Sequence, residues 1–498
     1  MSLDVISYAE AKKAATKAIW TGVSDRPQVG TGIFGAVDQA LVDGRSAAMQ
    51  IISDSTGNAS GEWVHLLATW LAARHPTAHI KYRVANQAIH EAGGYEADFP
   101  AGWEVIQAGS SGERHAYFGN STTTATRRTY YLPSDSFTAI TGDIDVRVRC
   151  ALSSWNPGAT QTLVSRYGSS NGQRSFQLSV DSVGRLRFQW SADGTTNPSG
   201  TYNATSALGF SADAERWVRA TLDVDNGGGG YTCTLYTSTD AVTWTQIGQT
   251  VTSAGTTSIY DSGYTYEIGG NALTGALIKG GKIYEVQIRD GIAGKVANPQ
   301  PIESWRPRDV SAPTYVSGDF RGSPTLWITN GAVGGADTTF LGTTHFNILT
   351  HPYQGVPTVV FVSCSHNDGD LNGTPFLATR DAWQTAIDAR LPGSQTVWLT
   401  QNPRYIPVTD PPVSCTPVNN DGHAKRRVQL LAWAARKGVA AIDTYRAFLE
   451  DSRFTSDITE LVSDGIHPTT GADVSGVPTG SGVWRNAVIA TWDHASLL

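Results

Sequence analysis

Residues 49–58 read MQIISDSTGN, an apolar run that ends abruptly in small and polar residues. The apolar half predicts a buried β-strand, and the pattern that follows predicts an amphipathic helix. In an open parallel α/β sheet, ligands bind and chemistry takes place at the carboxyl ends of the strands. The hydroxyl of Ser55 would lie at such an end, which makes Ser55 a candidate nucleophile. Asp-Ser pairs are also common in turns and helix caps, so the stretch by itself leaves both interpretations open.

A strand–helix alternation begins with this stretch and returns later in the chain. The first strand covers residues 47–55, and a helix is predicted over 61–74, where Trp63, Leu67 and Leu71 recur at helical spacing. Further strands are predicted at 79–84, 326–329, 358–362, 396–400 and 439–443, and further helices at 376–390, 423–437 and 483–494. Repeated strand–helix units predict an α/β fold in which helices cover both faces of a parallel sheet.

The middle of the chain, residues 117–303, has a different pattern. Helical spacing is absent, and short alternating runs are separated by Gly, Ser, Asp and Asn, which predicts an antiparallel sandwich or jelly roll. The runs at 144–149, 217–224 and 281–289 show this alternation. In its paired strands and its closing strand the segment resembles the concanavalin-like or laminin-G-like β-sandwich. We therefore expect a sandwich inserted into an α/β domain, with that domain formed by residues 41–116 and 304–498.

Length and charge limit the classes of function. A chain of 498 residues is too long for one core, so two or three domains are expected. The formal net charge is −7 and no long basic run occurs, so we expect no nucleic-acid partner. No apolar run approaches the roughly 18 residues of a membrane span. No secretory signal is visible, and residues 1–40, with a helix predicted over 8–20, form an N-terminal arm that could serve oligomer or virion assembly.

The four cysteines do not have the spacing of a zinc motif. Isolated buried thiols are the simplest interpretation, and a bridge between Cys364 and Cys415 stays open. We expect no metal at the site and no cofactor. In the middle segment, residues 223–226 read DVDN, which indicates either an ordinary turn or a structural calcium site.

Four short segments, each after a predicted strand or in a late loop, carry a family resemblance. They read SDSTG at 53–57, NGAVGGAD at 330–337, SHND at 365–368 and DGIHP at 464–468. In this order they resemble the motifs of the SGNH (GDSL-type) hydrolases, and the resemblance covers roughly residues 41–116 and 304–498. It implies a three-layer α/β/α, flavodoxin-like hydrolase domain.

The resemblance also implies roles for individual residues. Ser55 would be the nucleophile, His467 its general base, and Asp464 the carboxylate that orients the imidazole. The oxyanion donors would be the backbone N–H groups of Ser55 and Gly335 together with the side-chain amide of Asn367. Two features depart from the family pattern. Position 365 is Ser where Gly is usual, and Ser53 precedes Asp54 where the family often has Gly. Gly335 is chosen over its neighbour Gly334 only by counting from Asn330.

Two further residues are candidates for contact with substrate. His366 is next to the predicted oxyanion asparagine, and Arg404 follows the strand predicted at 396–400. A surface histidine and a structural salt bridge are the alternative interpretations of these two positions.

These motifs together predict a metal-independent serine esterase that works through an acyl-enzyme. An inserted carbohydrate-binding-like sandwich suggests an O-acetylated polysaccharide or cell-surface glycan as the substrate, held near the cleft by the sandwich. Two alternatives remain open. One is a lipid or small-ester hydrolase whose sandwich is only structural. The other is a phage-tail or surface glycan-binding protein with a minor or vestigial esterase, located in the virion or outside the cell.

Overall fold

The computed structural model describes thirteen stretches of the chain. They are residues 34–57, 61–84, 103–119, 129–132, 139–195, 199–271, 276–298, 302–307, 320–333, 356–363, 373–403, 421–462 and 467–495. The α-helices within them are α1 (Gly35–Val42), α2 (Trp63–Arg74), α3 (Gly373–Arg390), α4 (Asp421–Lys437), α5 (Thr444–Glu450), α6 (Arg453–Ser456) and α7 (Gly480–Ala495). Short 3-10 helices occur at Ile302–Ser304 and Ile458–Glu460.

The β-strands of these stretches are numbered in chain order. They are β1 (Ala47–Ser53), β2 (His79–Val84), β3 (Glu104–Gln107), β4 (His115–Phe118), β5 (Tyr130–Leu132), β6 (Ile144–Leu152), β7 (Gln161–Tyr167), β8 (Arg174–Val180), β9 (Leu186–Trp190), β10 (Gly200–Asn203), β11 (Glu215–Asp223), β12 (Gly230–Ser238), β13 (Thr245–Gln246), β14 (Val251–Ala254), β15 (Tyr266–Ile268), β16 (Gly281–Asp290), β17 (Lys295–Val296), β18 (Arg306–Pro307), β19 (Phe320–Arg321), β20 (Thr325–Ala332), β21 (Thr358–Ser363), β22 (Gln395–Leu399) and β23 (Ala440–Ile442).

Strand β1 lies at the centre of a mixed sheet. The seven described strands of this sheet have the order β23-β22-β21-β1-β20-β2-β3, and all neighbours pair in parallel except β2 and β3. Every residue of β1, β20 and β21 is buried, which accounts for their nearly continuous apolar sequences. The antiparallel strand β3 corrects the prediction of a purely parallel sheet. It lies at the edge, where its exposed, short sequence gives little alternation to detect.

Side chains of β1 point alternately into two hydrophobic clusters. Met49 and Ile51 belong to a cluster with residues of α1, α2, α5 and α7, whereas Ile52 belongs to one with residues of α3 and α4. This alternation is the two-residue period of a strand. Helices therefore pack against both faces of the mixed sheet, and the strand that leads to the candidate nucleophile is shielded on both sides.

The middle of the chain forms two antiparallel sheets. Seven described strands have the order β10-β9-β8-β7-β15-β5-β18, and nine form a second sheet with the path β13-β12-β11-β6-β16-β4-β19, to which β14 and β17 are attached. A single hydrophobic cluster includes Val148 and Val286 from the nine-stranded sheet and Leu178 from the seven-stranded one. The two sheets, called the antiparallel region below, therefore share one core.

Pairing crosses the limits expected from the sequence. Strand β4 begins at His115, whereas β18 and β19 lie beyond residue 303, and all three strands pair within the antiparallel sheets. Phe34 stacks on Trp492 with ring centroids 4.1 Å apart, so the described end of the expected N-terminal arm packs into the α/β core. The division into residues 1–40, 41–116, 117–303 and 304–498 stays a prediction, and the helix predicted over 8–20 lies outside the described residues.

Two predicted boundaries near the site differ from the observed ones. Strand β20 continues to Ala332, three residues beyond the predicted strand. The polar side chain of Asn330 can be buried within the strand because it has hydrogen-bond partners inside the protein. Helix α2 begins at Trp63 and not at Gly61. Gly61 has a φ of +87°, in the left-handed region that an α-helix excludes.

Candidate active site

The carboxyl ends of three central strands are aligned at one edge of the mixed sheet. Ser53, the last residue of β1, is paired with Ala332 of β20 and with Ser363 of β21. Beyond this register, the backbone N–H of Asp54 donates to the Ser363 carbonyl at 3.4 Å, and that of Val333 donates to the Ser53 carbonyl at 3.1 Å. The chain therefore turns into Asp54-Ser55 at the edge where parallel sheets bind ligands.

Ser55 and His467 meet at this edge. The Ser55 hydroxyl oxygen lies 2.7 Å from Nε2 of His467, and both side chains are partly buried. The two residues are 412 positions apart in the sequence. With Nε2 unprotonated, the hydroxyl donates to it, and this is the contact a general base needs in order to remove the proton from a serine nucleophile.

The segment that follows His467 is fixed by hydrogen bonds from Thr469. Its backbone N–H donates to the Leu461 carbonyl, and its hydroxyl donates to the Glu460 carbonyl, both at 2.8 Å. The Gly471 N–H then donates to the Gly61 carbonyl at 2.8 Å. A Cβ at position 61 would lie only 3.1 Å from the Gly471 nitrogen, so glycine permits this close approach. These bonds tie the His467 segment to the entrance of α2, which follows the nucleophile turn.

Asn330 supports the nucleophile turn from the β20 side. Its buried amide nitrogen donates to the Gly57 carbonyl at 2.6 Å and to the Tyr82 hydroxyl at 2.8 Å, and its oxygen accepts the Ala332 N–H at 3.1 Å. Burial raises the pKa of Tyr82 against the opposing hydrogen bond from Asn330, so the phenol stays neutral. The sequence placed Asn330 in a motif by family order but gave no sign of this bracing contact.

Asp54 is fully buried beside the nucleophile, and its carboxylate accepts several hydrogen bonds. The backbone N–H and the hydroxyl of Thr56 donate to Oδ1 at 3.2 and 2.9 Å, while Nε2 of Gln401 donates to Oδ2 at 3.0 Å. The sequence reasoning missed Gln401. Its position directly after a predicted strand, at the edge shared by the other motifs, was the available signal.

Five of the residues predicted for the site lie outside the described residues. They are Asp464, Gly335, Asn367, His366 and Arg404. Their roles stay predictions, and the same holds for the bridge between Cys364 and Cys415. The described cysteines, Cys150 and Cys233, are buried free thiols in the antiparallel region, and burial raises the pKa of each.

The suggested calcium position shows turn hydrogen bonds. Gly227 N–H donates to Asp225 Oδ1 at 3.2 Å, and the N–H groups of Gly228 and Gly230 donate to Asn226 Oδ1 at 2.9 and 3.3 Å. Within the described stretches, no group of three or more His, Cys, Asp or Glu side chains could hold a metal ion. The calcium site stays a prediction. In the same stretches, no helix is both long and apolar enough to cross a membrane.

Comparisons with known proteins give matches among solved structures alone, since no protein-family model and no curated protein matches the chain. A peptidoglycan O-acetylesterase is 11% identical, covers 94% of this chain and 96% of its own, and has a TM-score of 0.35. An extracellular lipase from Streptomyces rimosus is 18% identical over 34% of this chain and 82% of its own, with a TM-score of 0.25. The CBM40 domain of a Ruminococcus gnavus IT-sialidase is 18% identical over 35% and 88%, also with a TM-score of 0.25. Similarity at this level does not identify an activity, so the function is inferred from the side chains of the site.

Proposed function

We propose that this chain is a serine ester hydrolase in which Ser55 is the nucleophile and His467 is the general base. The observation that carries the proposal is the 2.7 Å contact between the Ser55 hydroxyl and His467 Nε2, at the carboxyl edge of the mixed sheet. A serine hydroxyl is a weak nucleophile at neutral pH and becomes effective when a base within hydrogen-bond reach accepts its proton. The family motifs of the sequence support the same assignment.

In the first half of the reaction, Ser55 Oγ attacks the carbonyl carbon of the ester while its proton moves to His467 Nε2. The tetrahedral intermediate collapses, the bond to the alcohol oxygen breaks, and His467 returns the proton to the departing alcohol. In the second half, His467 takes a proton from water, and the resulting hydroxide attacks the acyl-Ser55 ester. The acid is released and Ser55 recovers its proton.

The remaining machinery is proposed from the family resemblance. Asp464 would hold the imidazole of His467 in the productive tautomer and stabilise the imidazolium. The backbone N–H groups of Ser55 and Gly335 and the amide of Asn367 would donate to the oxyanion. The loss of one such donor typically costs about 100- to 1,000-fold in rate. His366 and Arg404 are proposed to contact the substrate.

For the substrate, we propose the acetyl ester of a polysaccharide or cell-surface glycan. The support is architectural: two antiparallel sheets that share one core accompany the mixed sheet in the same chain. A region that retained the polymer would raise the effective concentration of its esters near Ser55. We propose this retention as the role of the antiparallel region.

The test is acetate release from a panel of acetylated bacterial and plant polysaccharides, alongside hydrolysis of a short-chain activated acetate. Wild-type protein should be active in both assays, and Ser55→Ala should abolish activity without unfolding the protein. Ser456→Ala is a suitable control, because this exposed serine lies in α6 and donates only to a backbone carbonyl of its own helix turn.

Three outcomes would contradict parts of the proposal. Wild type and Ser55→Ala with the same residual activity would rule out a serine mechanism and favour a binding protein with a vestigial site. Activity that rises with acyl-chain length would favour a lipid esterase over a deacetylase. Equal acetate release from polymers and from their short fragments would remove the retention role of the antiparallel region.

A further inference from the structure

Gln401 lies two residues beyond the end of β22 and is 5% exposed. Its Nε2 donates to Asp54 Oδ2 at 3.0 Å and to the Ser363 hydroxyl at 3.3 Å. We propose that Gln401 is a positioning residue that acts through Asp54 to hold Ser55 in its reactive orientation. This role rests on the proposed function of Ser55 and adds a group that the family motifs of the sequence do not include.

The side chain of Asp54 has no exposed surface. A buried carboxylate is costly unless donors replace the water it has lost. Thr56 supplies donors to Oδ1 from within the same turn, whereas Gln401 supplies a donor to Oδ2 from a different strand. The Gln401 bond therefore fixes the carboxylate relative to the sheet, which the contacts within the turn cannot do.

The side-chain amide of Gln401 also joins the ends of neighbouring strands. Gln401 follows β22, Ser363 ends β21 and Asp54 follows β1, so three neighbouring strand ends meet at a single nitrogen. Asp54 immediately precedes the proposed nucleophile, and Ser363 ends the strand that leads to the predicted oxyanion segment. The amide thus relates the position of the nucleophile to the end of β21, which precedes the predicted oxyanion segment in the sequence.

The rate of the reaction depends on how precisely Ser55 is held. Reacting atoms must be held at about 3–3.5 Å in near-attack geometry, and a displacement of ~1 Å can cost about 100-fold. Without the Gln401 donor, Asp54 would reorient toward other donors or water and carry Ser55 with it. The expected loss is in kcat, because the substrate-binding surface is unchanged.

The experiment compares Gln401→Met and Gln401→Glu with wild type. Gln401→Met keeps the length of the side chain but removes the donor, and should lower kcat by about 10- to 100-fold with little change in KM. In Gln401→Glu, a protonated acid can donate to Asp54, whereas the ionised acid repels it. The ratio of its kcat to that of wild type should therefore rise as the pH falls, and the ratio for Gln401→Met should stay flat.

Gln384→Met is the matched control. Gln384 Oε1 accepts from the indole N–H of Trp398 in β22 at 2.9 Å, so this amide braces the same strand away from the site. Its substitution should lower the thermal midpoint and leave kcat unchanged. If Gln401→Met loses thermal stability as Gln384→Met does but retains wild-type kcat, the positioning role is wrong.

A fluorophosphonate, which phosphonylates reactive serines with loss of fluoride, separates this inference from the proposed function. If wild type reacts at Ser55 and Gln401→Met reacts clearly more slowly, the inference is supported. Equal rates of reaction in the two proteins overturn the role of Gln401 and leave the proposed function intact. If wild type does not react at Ser55, the proposed function fails and the role of Gln401 fails with it.

Discussion

One cluster of polar side chains lies in the antiparallel region and another lies at the edge of the mixed sheet. The two clusters differ in how far apart their members are in the sequence. In the antiparallel region, Asp145 accepts from Arg147 two residues away and from Arg219 on the neighbouring strand β11, with closest contacts of 2.7 Å to each. At the mixed sheet, Ser55 and Asp54 meet His467 and Gln401, which are 412 and 347 positions distant.

The difference follows from the two kinds of sheet. Antiparallel pairing joins Asp145 to Arg147 on its own strand and to Arg219 on the neighbouring strand, 74 positions away, so opposite charges neutralise one another within the sheet. Parallel strands need long crossovers, and all of their carboxyl ends lie along one edge, so groups from distant segments converge there. We therefore expect substitutions in the first cluster to change stability and substitutions in the second to change activity.

The largest effect should come from breaking the Ser55–His467 contact. His467→Gln keeps a polar side chain but removes the base, and should lower kcat by at least ~1,000-fold. The Ser55→Ala/His467→Gln double variant should be no slower than the slower single variant, because the two residues act as one unit. Steady-state hydrolysis of an activated acetate checks this. Independent, multiplicative losses would show that the two residues do not act together.

A substitution in the charged cluster of the antiparallel region should lower the free energy of unfolding. Asp145→Asn leaves Arg147 and Arg219 without their shared carboxylate, and breaking a buried pair of this kind costs about 3–5 kcal/mol in the free energy of unfolding. Urea denaturation measures that cost, and kcat per folded molecule should stay at the wild-type value. A fall in kcat at full folding would contradict the separation of the two clusters.

Asp145 also predicts a dependence on pH. Burial opposes its ionisation, but the hydrogen bond and charge of Arg147, together with Arg219, lower its pKa from 3.8 to about 2. A carboxylate with a depressed pKa contributes stability that is present above its unfolded pKa and is lost as the pH falls through the folded one. Below a pH of about 3.8, the unfolding free energy of wild type should therefore fall more steeply than that of Asp145→Asn. Parallel curves would contradict this prediction.

Glu113 joins the two regions and should have an intermediate effect. It binds Lys81 of β2 in the mixed sheet and Arg149 of β6 in the antiparallel region, the latter at 2.7 Å. Burial opposes ionisation, but Lys81 and Arg149 lower the pKa of Glu113 to about 2. Glu113→Gln should cost about 3 kcal/mol, chiefly by leaving the buried ammonium of Lys81 without its counter-ion. Chemical denaturation with probes in each region would test whether the two regions then unfold separately.

The smallest effect is expected at an exposed pair. Arg446 and Glu450 lie one turn apart on α5 and form a salt bridge at 2.7 Å with both side chains substantially exposed. Such pairs contribute about 0.3–0.5 kcal/mol, so Glu450→Ala should change the unfolding free energy by less than ~0.5 kcal/mol. Activity should be unaffected. A loss of unfolding free energy as large as that of Asp145→Asn would show that the exposure of a salt bridge does not determine its contribution to stability.

Strong periodicity made much of the fold predictable. The fully buried β1 and β21 and the mostly buried α2 have long, consistent patterns, and their predicted positions agree with the structure to within a few residues. The edge strand β3 and the two-residue strands β18 and β19 were missed, because short or exposed segments carry little alternation. Motif order named Ser55 and His467, and these two side chains are in contact in the structure, but their catalytic roles and the five other candidate positions stay predictions.

The sequence alone was enough to predict the type of the long segments that the structure describes, and motif order made Ser55 and His467 candidates. Segment type depends on the local hydrophobic period, which is present in the sequence, whereas His467 became a candidate through the family resemblance. Only the tertiary structure decided that Gln401 donates to Asp54, that Asn330 braces Gly57, and that Ser55 lies 2.7 Å from His467. Such contacts depend on strand order and register across hundreds of residues, and no local pattern encodes them.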